Sequence, residues 1–299
     1  MAEAQKPAES GADHEVVWHD DCAVFRIRRP RSLNALTKGV LEALSACLDE
    51  VEKRGVPALV IVGEGEKAFC AGTDLAELTT LADAARHAKT RFARELLVRL
   101  HRSEVVSVAA VNGLAFGGGM ELALACTFRI AAPHATFALP EVKLGVFPVY
   151  GGTQFLPAVV GQARAVDMMI TGRTVDCAEA LSMGLVSRVA VPGGSPAAGS
   201  AAAQLLSAHA ALAASGSAPA RMPAEELVGQ AIALARTVSC WSRVAVGAIR
   251  ASVEAAGPVV TDEGLAAEEA QSQRVMASED GKEGVRAFVE KRPPVFRNR

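Results

Sequence analysis

The sequence predicts an α/β fold in which short strands alternate with helices around a mostly parallel sheet. Short apolar runs rich in β-branched residues are separated by longer stretches with the periodicity of amphipathic helices. Half of the 299 residues are hydrophobic, which is ample for a buried core. Strands separated by helices of that length indicate right-handed crossovers between parallel strands.

The predicted elements follow one another in a regular order. They are a strand over 22–28, a helix over 37–54, a strand over 58–62, a helix over 81–102, a strand over 105–111, a helix beginning at the glycine run 117–119, and a strand over 128–131. The later apolar spacing predicts helices over 224–240, 243–256, 262–277 and 281–291. The C-terminal third is therefore predicted to be helical.

Composition divides the chain into four segments. Residues 1–14 are polar and mildly acidic, which predicts a flexible tail that lacks the apolar core of a signal peptide. Residues 15–192 carry the alternating strands and helices. Residues 193–222 are rich in Ala, Ser, Gly and Pro and predict an inserted linker. Residues 223–299 hold the C-terminal helices.

Charge and composition exclude several classes of function. The formal net charge is −2 without a long basic run, which argues against a nucleic-acid binder. No uninterrupted apolar segment is long enough to span a membrane. The six cysteines form no framework, and the six histidines lack metal-ligand spacing. We expect a cytoplasmic protein that acts on small molecules and binds no metal; Cys70 is interpreted as a structural thiol rather than a nucleophile.

The most informative motif is the run Gly117-Gly118-Gly119-Met120-Glu121. Glycines let a ligand approach bare backbone N–H groups, and the apolar residues that follow predict a buried helix starting there. A helix N-terminus directs unpaired N–H groups towards an oxygen that gains negative charge. The run is thus a candidate for half of an oxyanion hole, although Glu121 alone also fits a residue that only stabilises the helix dipole.

A second loop, 67–74, follows the predicted strand 58–62 and reads Lys-Ala-Phe-Cys-Ala-Gly-Thr-Asp. Its small residues again expose backbone N–H groups, so the two loops together would aim two donors at one carbonyl oxygen. Each loop by itself is equally consistent with a plain turn or with tight helix packing.

Ordered motifs give the chain a family resemblance. They are Asn34-Ala35-Leu36, the loop 67–74, Ala110-Val111-Asn112-Gly113, the glycine run with Glu121, Pro140-Glu141, Gly151-Gly152-Thr153-Gln154, Gly184-Leu185-Val186 and the segment 287–292. With these the chain resembles the crotonase superfamily of enoyl-CoA hydratases and isomerases over nearly its whole length. The resemblance implies a ββα spiral core with a C-terminal helical trimerisation region, in a trimer or a dimer of trimers.

The resemblance also implies roles for individual residues. The backbone N–H groups of Ala71 and Gly118 match the oxyanion hole for a thioester carbonyl. Glu121 and Glu141 match the glutamate pair with which the family's hydratases activate a water, and Glu141 matches the donor of the proton to Cα. Further residues implied to bind the substrate are Lys67, Ala68, Asp74, Leu75, Gly117, Val149, Tyr150, Phe288 and Lys291. Asp74 is also interpreted as a possible cap of the following helix.

One loop departs from the family pattern. Hydratases of the best-known type read Pro-Gly-Ala-Gly-Gly-Thr where this chain has Pro148-Val149-Tyr150-Gly151-Gly152-Thr153. The bulkier Val149 and Tyr150 predict a pocket reshaped for a different acyl group, with a hydroxyl available to substrate or water; simple packing is the alternative.

Three functions are consistent with this sequence. The first is a 2-enoyl-CoA hydratase of fatty-acid or related acyl-CoA degradation, with CoA as part of the substrate and no separate cofactor. The second is an enoyl-CoA isomerase or another crotonase-type acyl-CoA reaction, which the Val149-Tyr150 pair motivates. The third is a non-catalytic CoA- or RNA-binding protein, against which the glutamate pair and the lack of a lysine-rich helix argue.

Overall fold

The frame of the molecule is a seven-stranded sheet beside a four-stranded sheet. The computed structural model describes residues 6–11, 13–193, 221–239 and 279–293, together with residues 262, 273 and 277. The strands are β1 (Lys6–Gly11), β2 (His14–Trp18), β3 (Ala23–Ile27), β4 (Ala58–Gly63), β5 (Ala68–Cys70), β6 (Val106–Val111), β7 (Leu114–Phe116), β8 (Phe128–Ala131), β9 (Thr136–Ala138), β10 (Val175–Asp176) and β11 (Arg188–Val189).

Helices connect and cover these strands. They are α1 (Lys38–Arg54), α2 (Leu75–Thr80), α3 (Asp83–Arg102), α4 (Gly118–Ala125), α5 (Gly152–Val160), α6 (Gln162–Thr171), α7 (Cys177–Ser182), α8 (Ala224–Ser239) and α9 (Glu279–Val289). Short 3-10 helices span Pro30–Ser32 and Glu141–Leu144. The predicted strands and helices of the first 131 residues are all present, most with ends moved by one or two residues.

The large sheet has the order β1-β2-β3-β4-β6-β8-β11 and is parallel from β3 onwards. The small sheet has the order β10-β9-β7-β5, with β5, β7 and β9 parallel. Along the chain, a strand of the large sheet is followed by a strand of the small sheet and then by a helix. This order occurs first in β4-β5-α2 and again in β6-β7-α4. This is the ββα repeat that the family resemblance implies, and the mostly parallel large sheet confirms the prediction from spacing.

The central strand β4 shows how the large sheet buries both of its faces. Side chains alternate across a strand, so Leu59 and Ile61 belong to the main core, which α1, α3 and α4 also line. Val60 and Val62 face the opposite way into a second core that α8 covers, with Leu227 among its residues. A strand buried on both faces needs a continuous apolar sequence, which residues 58–62 supply.

Two buried asparagines fasten the connection between the two sheets. Asn34 Nδ2 donates to the carbonyl oxygens of Glu64 at 3.0 Å and Ala68 at 2.7 Å. Asn112 Nδ2 donates to Gly63 O at 2.7 Å, and Gly63 N donates back to Asn112 Oδ1 at 3.2 Å. These side chains form hydrogen bonds with backbone groups at the connection between β4 and β5, where sheet pairing does not supply partners. This explains the asparagines in the motifs 34–36 and 110–113.

The far end of α4 is held by Arg129, a buried cation. Its Nε donates to Leu185 O at 2.6 Å, and its Nη1 donates to Cys126 O at 2.8 Å. A cation near the last carbonyl groups of a helix complements the negative end of the helix dipole. Arg129 thus fixes the C-terminal end of the helix whose N-terminus faces the site.

The N-terminus differs from the prediction of a flexible tail over 1–14. Residues 6–11 form β1, which pairs antiparallel with β2 and places Gly11 opposite His14. Without β1, β2 would be the open edge of the large sheet, with unpaired backbone groups facing outwards. A polar composition carries little information about such pairing, because it uses the backbone alone.

The C-terminal predictions are covered in part. The helix predicted over 224–240 is α8, and the one predicted over 281–291 is α9. Most of the insertion predicted over 193–222 and of the helices predicted over 243–256 and 262–277 lies outside the described residues. In the described ranges, no helix combines the length and the apolar character that a bilayer crossing requires.

Candidate active site

The N-terminus of α4 supplies the first feature of the site. Gly117 adopts φ +52° and ψ −129°, a conformation that disfavours residues with a Cβ, and its N–H donates to Ala138 O at 3.0 Å. The next N–H, that of Gly118, has no acceptor in the described part of the chain, as the first turn of a helix requires. Because Gly118 lines a cavity, this N–H is available to a ligand.

The loop over 71–74 supplies the second donor, but from a different residue than predicted. Ala71 N donates to Leu33 O at 2.9 Å, and Asp74 N donates to Leu36 O at 3.0 Å. Leu36 N in turn donates to Gly72 O at 2.7 Å. The assignment of Ala71 as an oxyanion donor is therefore wrong in this structure, because its hydrogen is already used by the neighbouring loop.

Thr73 takes the place of Ala71. Its N–H makes no hydrogen bond with any residue that the structure describes. Of its two neighbours in the chain, Asp74 has its N–H hydrogen-bonded and Gly72 is tightly packed. Thr73 N lies 3.4 Å from the position that a Cβ on Gly118 would occupy. The two unpaired N–H groups thus belong to neighbouring backbone segments at the wall of one cavity.

Glycine at two positions permits this close approach. A Cβ on Gly119 would overlap the carbonyl oxygen of Cys70, so α4 packs directly onto the backbone at the end of β5. Gly72 adopts φ +103°, and a Cβ there would lie 2.9 Å from Phe116 O and 3.1 Å from Gly118 N. Side chains at these positions would separate the two donors.

Glu121 lies one turn into α4 and is almost fully buried. Its Oε1 accepts the N–H groups of Tyr150 and Gly152, each at 2.8 Å. A Cβ on Gly152 would lie 2.9 Å from the same oxygen, so glycine is needed there for the carboxylate to reach the backbone. Two donors on one oxygen stabilise an ionised carboxylate and hold it in one orientation.

Glu141 begins the 3-10 helix that follows β9. A Cβ on Gly117 would lie 3.1 Å from Glu141 Oε1, so this carboxyl group lies beside the N-terminus of α4. Its Oε2 is buried without a hydrogen-bond partner in the described ranges. Burial raises the pKa of Glu141 to about 7, well above the ordinary value of a glutamate. Glu141 is therefore suited to carry a proton near neutral pH.

Tyr150 connects several parts of the site. It is buried, its hydroxyl oxygen accepts a hydrogen bond from Thr73 Oγ1 at 2.7 Å, and its ring lies 3.0 Å from the position of a Cβ on Gly118. The adjacent Val149 is partly buried and faces the same cavity. The two bulky residues thus line the pocket, and their effect on the acyl group that it accepts stays a prediction.

All of these groups open onto one cavity of about 640 Å³. Its apolar wall includes Leu78 on α2 and Phe147 in the loop after the 3-10 helix, and α9 closes one side with Val285 and Val289. A Cβ on Gly284 would overlap the carbonyl oxygen of Leu144, so α9 is seated directly on the 3-10 helix that carries Glu141. The predicted residues that line the cavity are Ala71, Leu75, Gly117, Gly118, Glu121, Glu141, Val149 and Tyr150.

The other predicted substrate-binding residues lie outside this lining. Lys67, Phe288 and Lys291 are exposed, and Ala68 is buried in β5 with its carbonyl oxygen bonded to Asn34. Their assignments stay predictions.

Asp74 is a helix cap. Its Oδ1 accepts from Glu77 N at 2.9 Å, and its Oδ2 pairs with Arg29 Nη1 at 2.7 Å. Although burial acts in the opposite direction, the Glu77 N–H and the Arg29 guanidinium hold the pKa of Asp74 below its ordinary value. Its side chain is committed to α2, which corrects the substrate-binding assignment in favour of the capping interpretation.

The remaining candidate groups add no further chemistry. Burial raises the pKa of Cys70 to about 12, so this thiol stays protonated and is unsuited to nucleophilic attack. No cluster of three or more His, Cys, Asp or Glu side chains placed to hold a metal occurs within the described ranges.

The described geometry agrees with the comparison of the sequence with protein families. A family model described as "Enoyl-CoA hydratase/isomerase" matches residues 19–213, about two thirds of the chain. The chain belongs to the enoyl-CoA hydratase/isomerase family. This result confirms the crotonase resemblance drawn from the ordered motifs.

Individual relatives match this chain over most of its length. It is 37% identical over 277 residues to a probable enoyl-CoA hydratase of Rhizobium meliloti, which covers 92% of this chain and 94% of that protein. A crotonyl-CoA hydratase of Syntrophomonas wolfei is 32% identical over 275 residues, with the same coverage. The crystal structure of a carnitinyl-CoA hydratase from Mycobacterium avium superimposes with a TM-score of 0.77 at 29% identity, covering 97% of this chain and all of that one. The fold is therefore that of the crotonase superfamily.

Sequence reasoning missed three components of the site. Thr73 was overlooked as a donor because the hydrogen bond that occupies Ala71 N comes from a residue 38 positions earlier. The two N–H groups on Glu121 were also not anticipated. For the N–H of Gly152, the Gly-Gly pair at 151–152 was an available signal, because a residue without a Cβ leaves space for an approaching side chain.

The close approach at Gly72 leads to a prediction for stability. Gly72→Ala will lower the free energy of unfolding by about 2–4 kcal/mol, because the left-handed conformation and the contact with Phe116 O both oppose a Cβ. Gly65→Ala is the matched control, since Gly65 has φ +81° but open space around it, and it will cost only about 1–2 kcal/mol. Urea unfolding of both variants measures the difference; equal losses would contradict the crowding.

Proposed function

We propose that this protein is an enoyl-CoA hydratase, a hydro-lyase that adds water across the 2,3-double bond of a 2-enoyl-CoA to give a 3-hydroxyacyl-CoA. The observation that carries the proposal is the presence of two glutamates, the buried Glu121 and the partly buried Glu141, on one cavity beside two backbone N–H groups that have no partner among the described residues. The similarity to named hydratases at 31–37% identity supports it.

In the proposed mechanism the thioester oxygen lies between Thr73 N–H and Gly118 N–H. These donors stabilise the negative charge that develops on the oxygen, and each is worth roughly 3 kcal/mol in a dry, preorganised site. The positive end of the α4 dipole acts in the same direction. Because both donors are backbone groups in a rigid setting, they need no rearrangement during the reaction.

The two carboxyl groups divide the proton transfers. Glu121, held as a carboxylate by two N–H groups, accepts a proton from the water as its oxygen bonds to Cβ. The electrons of the double bond move towards the thioester oxygen and form an enolate. Glu141 then gives its proton to Cα, and the carbonyl group is restored. The proton on Glu121 then passes to solvent and Glu141 takes one back from solvent, so both carboxyl groups regain their starting states and the net change is the addition of one water.

The wider assignments are part of this proposal. The substrate is an acyl-CoA thioester, CoA being part of it, and no separate cofactor takes part. We also propose a cytoplasmic homo-oligomer, a trimer or a dimer of trimers, active in the β-oxidation of fatty acids or related acyl-CoA degradation. The resemblance to the crotonase superfamily supports an oligomer, since it implies a C-terminal helical trimerisation region. Light scattering coupled to gel filtration tests the subunit number.

Replacing either glutamate tests the hydration chemistry. Glu121→Gln and Glu141→Gln will each reduce kcat for crotonyl-CoA by about 10²–10⁴, since each removes a general acid or base. The loss of enoyl-thioester absorbance measures turnover. Glu95→Gln, on the outer side of α3, is the matched control and will leave kcat unchanged.

The same pair of variants separates hydration from isomerisation. An isomerase moves one proton between carbons and needs no base for water, so it would tolerate Glu121→Gln while losing activity with Glu141→Gln. That outcome, with 3-enoyl-CoA as the substrate, would contradict the proposed hydratase.

The raised pKa of Glu141 predicts a pH dependence. Hydration requires Glu141 in its protonated form, which is depleted as the pH rises above about 7. At saturating crotonyl-CoA, kcat will therefore fall on the alkaline side with an apparent pKa near 7, approaching a tenfold loss per pH unit. Rates from about pH 6 to about pH 9 at constant ionic strength measure it. A kcat that is constant over this range would contradict the role of Glu141 as the acid.

A further inference from the structure

Tyr150 lies against both candidate oxyanion donors. Its hydroxyl oxygen is 2.7 Å from Thr73 Oγ1, and its ring packs on Gly118 at the start of α4. The backbone N–H of the same residue holds Glu121. Only 2% of Tyr150 is exposed, so these contacts leave its ring little freedom.

The hydrogen of this hydroxyl group has no acceptor in the described structure. Thr73 Oγ1 is the donor in the bond between the two side chains, so the tyrosine oxygen accepts and its own hydrogen remains. No hydrogen bond among the described residues uses that hydrogen. Because Tyr150 is buried and lines the cavity, the acceptor open to this hydrogen is a molecule inside the cavity, water or a bound ligand.

The position of the hydroxyl group indicates which ligand atom it meets. Thr73 carries both the side chain bonded to Tyr150 and the unpaired backbone N–H. The ring lies over Gly118, the residue with the other unpaired N–H. Tyr150 therefore contacts both of the residues whose amides, in the proposed mechanism, bind the thioester oxygen.

We propose that Tyr150 is a third donor of the oxyanion hole. By accepting from Thr73 it fixes the orientation of that residue, and it donates its own hydrogen to the thioester oxygen as charge develops in the enolate. This inference rests on the proposed hydratase function and gives the departure from the family pattern at this position a catalytic role.

The charge state of the phenol is consistent with this role. Burial raises the pKa of Tyr150 above its ordinary value, and negative charge on Glu121 acts in the same direction, whereas the bond from Thr73 opposes them. The group therefore keeps its proton throughout the neutral range and remains a donor.

Carbon-13 NMR tests the hydrogen bond directly, because Tyr150 is the only tyrosine in the chain. Protein labelled at tyrosine Cζ will give a single resonance, which we expect to move when acetoacetyl-CoA, a ligand that forms an enolate, is added. A thioether analogue of CoA without the carbonyl oxygen is the control and will leave the resonance in place. An unmoved resonance with bound acetoacetyl-CoA, or an equal shift with both ligands, would overturn the proposal.

Kinetics of Tyr150→Phe give an independent test. We expect kcat for crotonyl-CoA to fall about 10- to 100-fold, less than for loss of a primary donor, with little change in KM. Thr73→Val keeps its backbone N–H and will show a smaller loss, and the double variant will resemble Tyr150→Phe alone, because the two changes share one hydrogen bond. Thr174→Val, at an exposed site, controls for the loss of a threonine hydroxyl.

The outcomes separate this inference from the proposed function. If wild-type protein hydrates crotonyl-CoA and Tyr150→Phe has the same kcat, Tyr150 is only a packing residue and the hydratase stands. A lowered melting temperature with unchanged kcat leads to the same conclusion. If the wild type has no hydratase activity, the proposed function fails, and the NMR shift with acetoacetyl-CoA still decides whether Tyr150 donates to a bound thioester.

Discussion

The site depends on the close approach of two backbone segments, the loop over 71–74 and the first turn of α4. Side chains would keep such segments apart, so glycines occupy the points of contact. Gly119 leaves room for the carbonyl oxygen of Cys70, and Gly72 leaves room for Phe116 O. The gain is a pair of N–H groups, those of Thr73 and Gly118, that lie at the wall of the cavity and have no partner in the part of the chain that the structure describes. Donors at a helix start or a cavity wall are left to water or to a ligand, so these two are open to a ligand that enters the cavity.

The two-sheet frame holds these segments in place. Pairing of β5 with β7 in the small sheet brings the ends of both strands together, so the loop after β5 meets the helix after β7. Carbonyl oxygens in the loop over 33–36 accept hydrogen bonds from the N–H groups of Ala71 and Asp74 but not from that of Thr73. At the other end of α4, Arg129 satisfies the last carbonyl groups. The cavity is therefore rigid on the side where charge would develop.

Much of this arrangement was predictable from the sequence, and the failures have a common cause. Strands such as β4 and the start of α4 follow from local apolar patterns and glycines. Glu121 and Glu141 were found through family motifs, since spacing alone does not place residues of separate elements on one cavity. The errors concerned backbone hydrogen bonds, namely those that pair the adjacent strands β1 and β2 and the one between the distant residues Leu33 and Ala71. Such bonds carry no side-chain signature, so the sequence did not show that the N–H of Ala71, assigned from the family resemblance, is already used.

In the proposed mechanism Thr73 and Gly118 together bind the oxygen of an acyl-CoA thioester, and a crystal structure with acetoacetyl-CoA would show whether they do. We expect the thioester oxygen within about 3.2 Å of both backbone nitrogens, with Ala71 N still bonded to Leu33 O. A thioester oxygen bound to Ala71 N, or one distant from both Thr73 and Gly118, would contradict the mechanism.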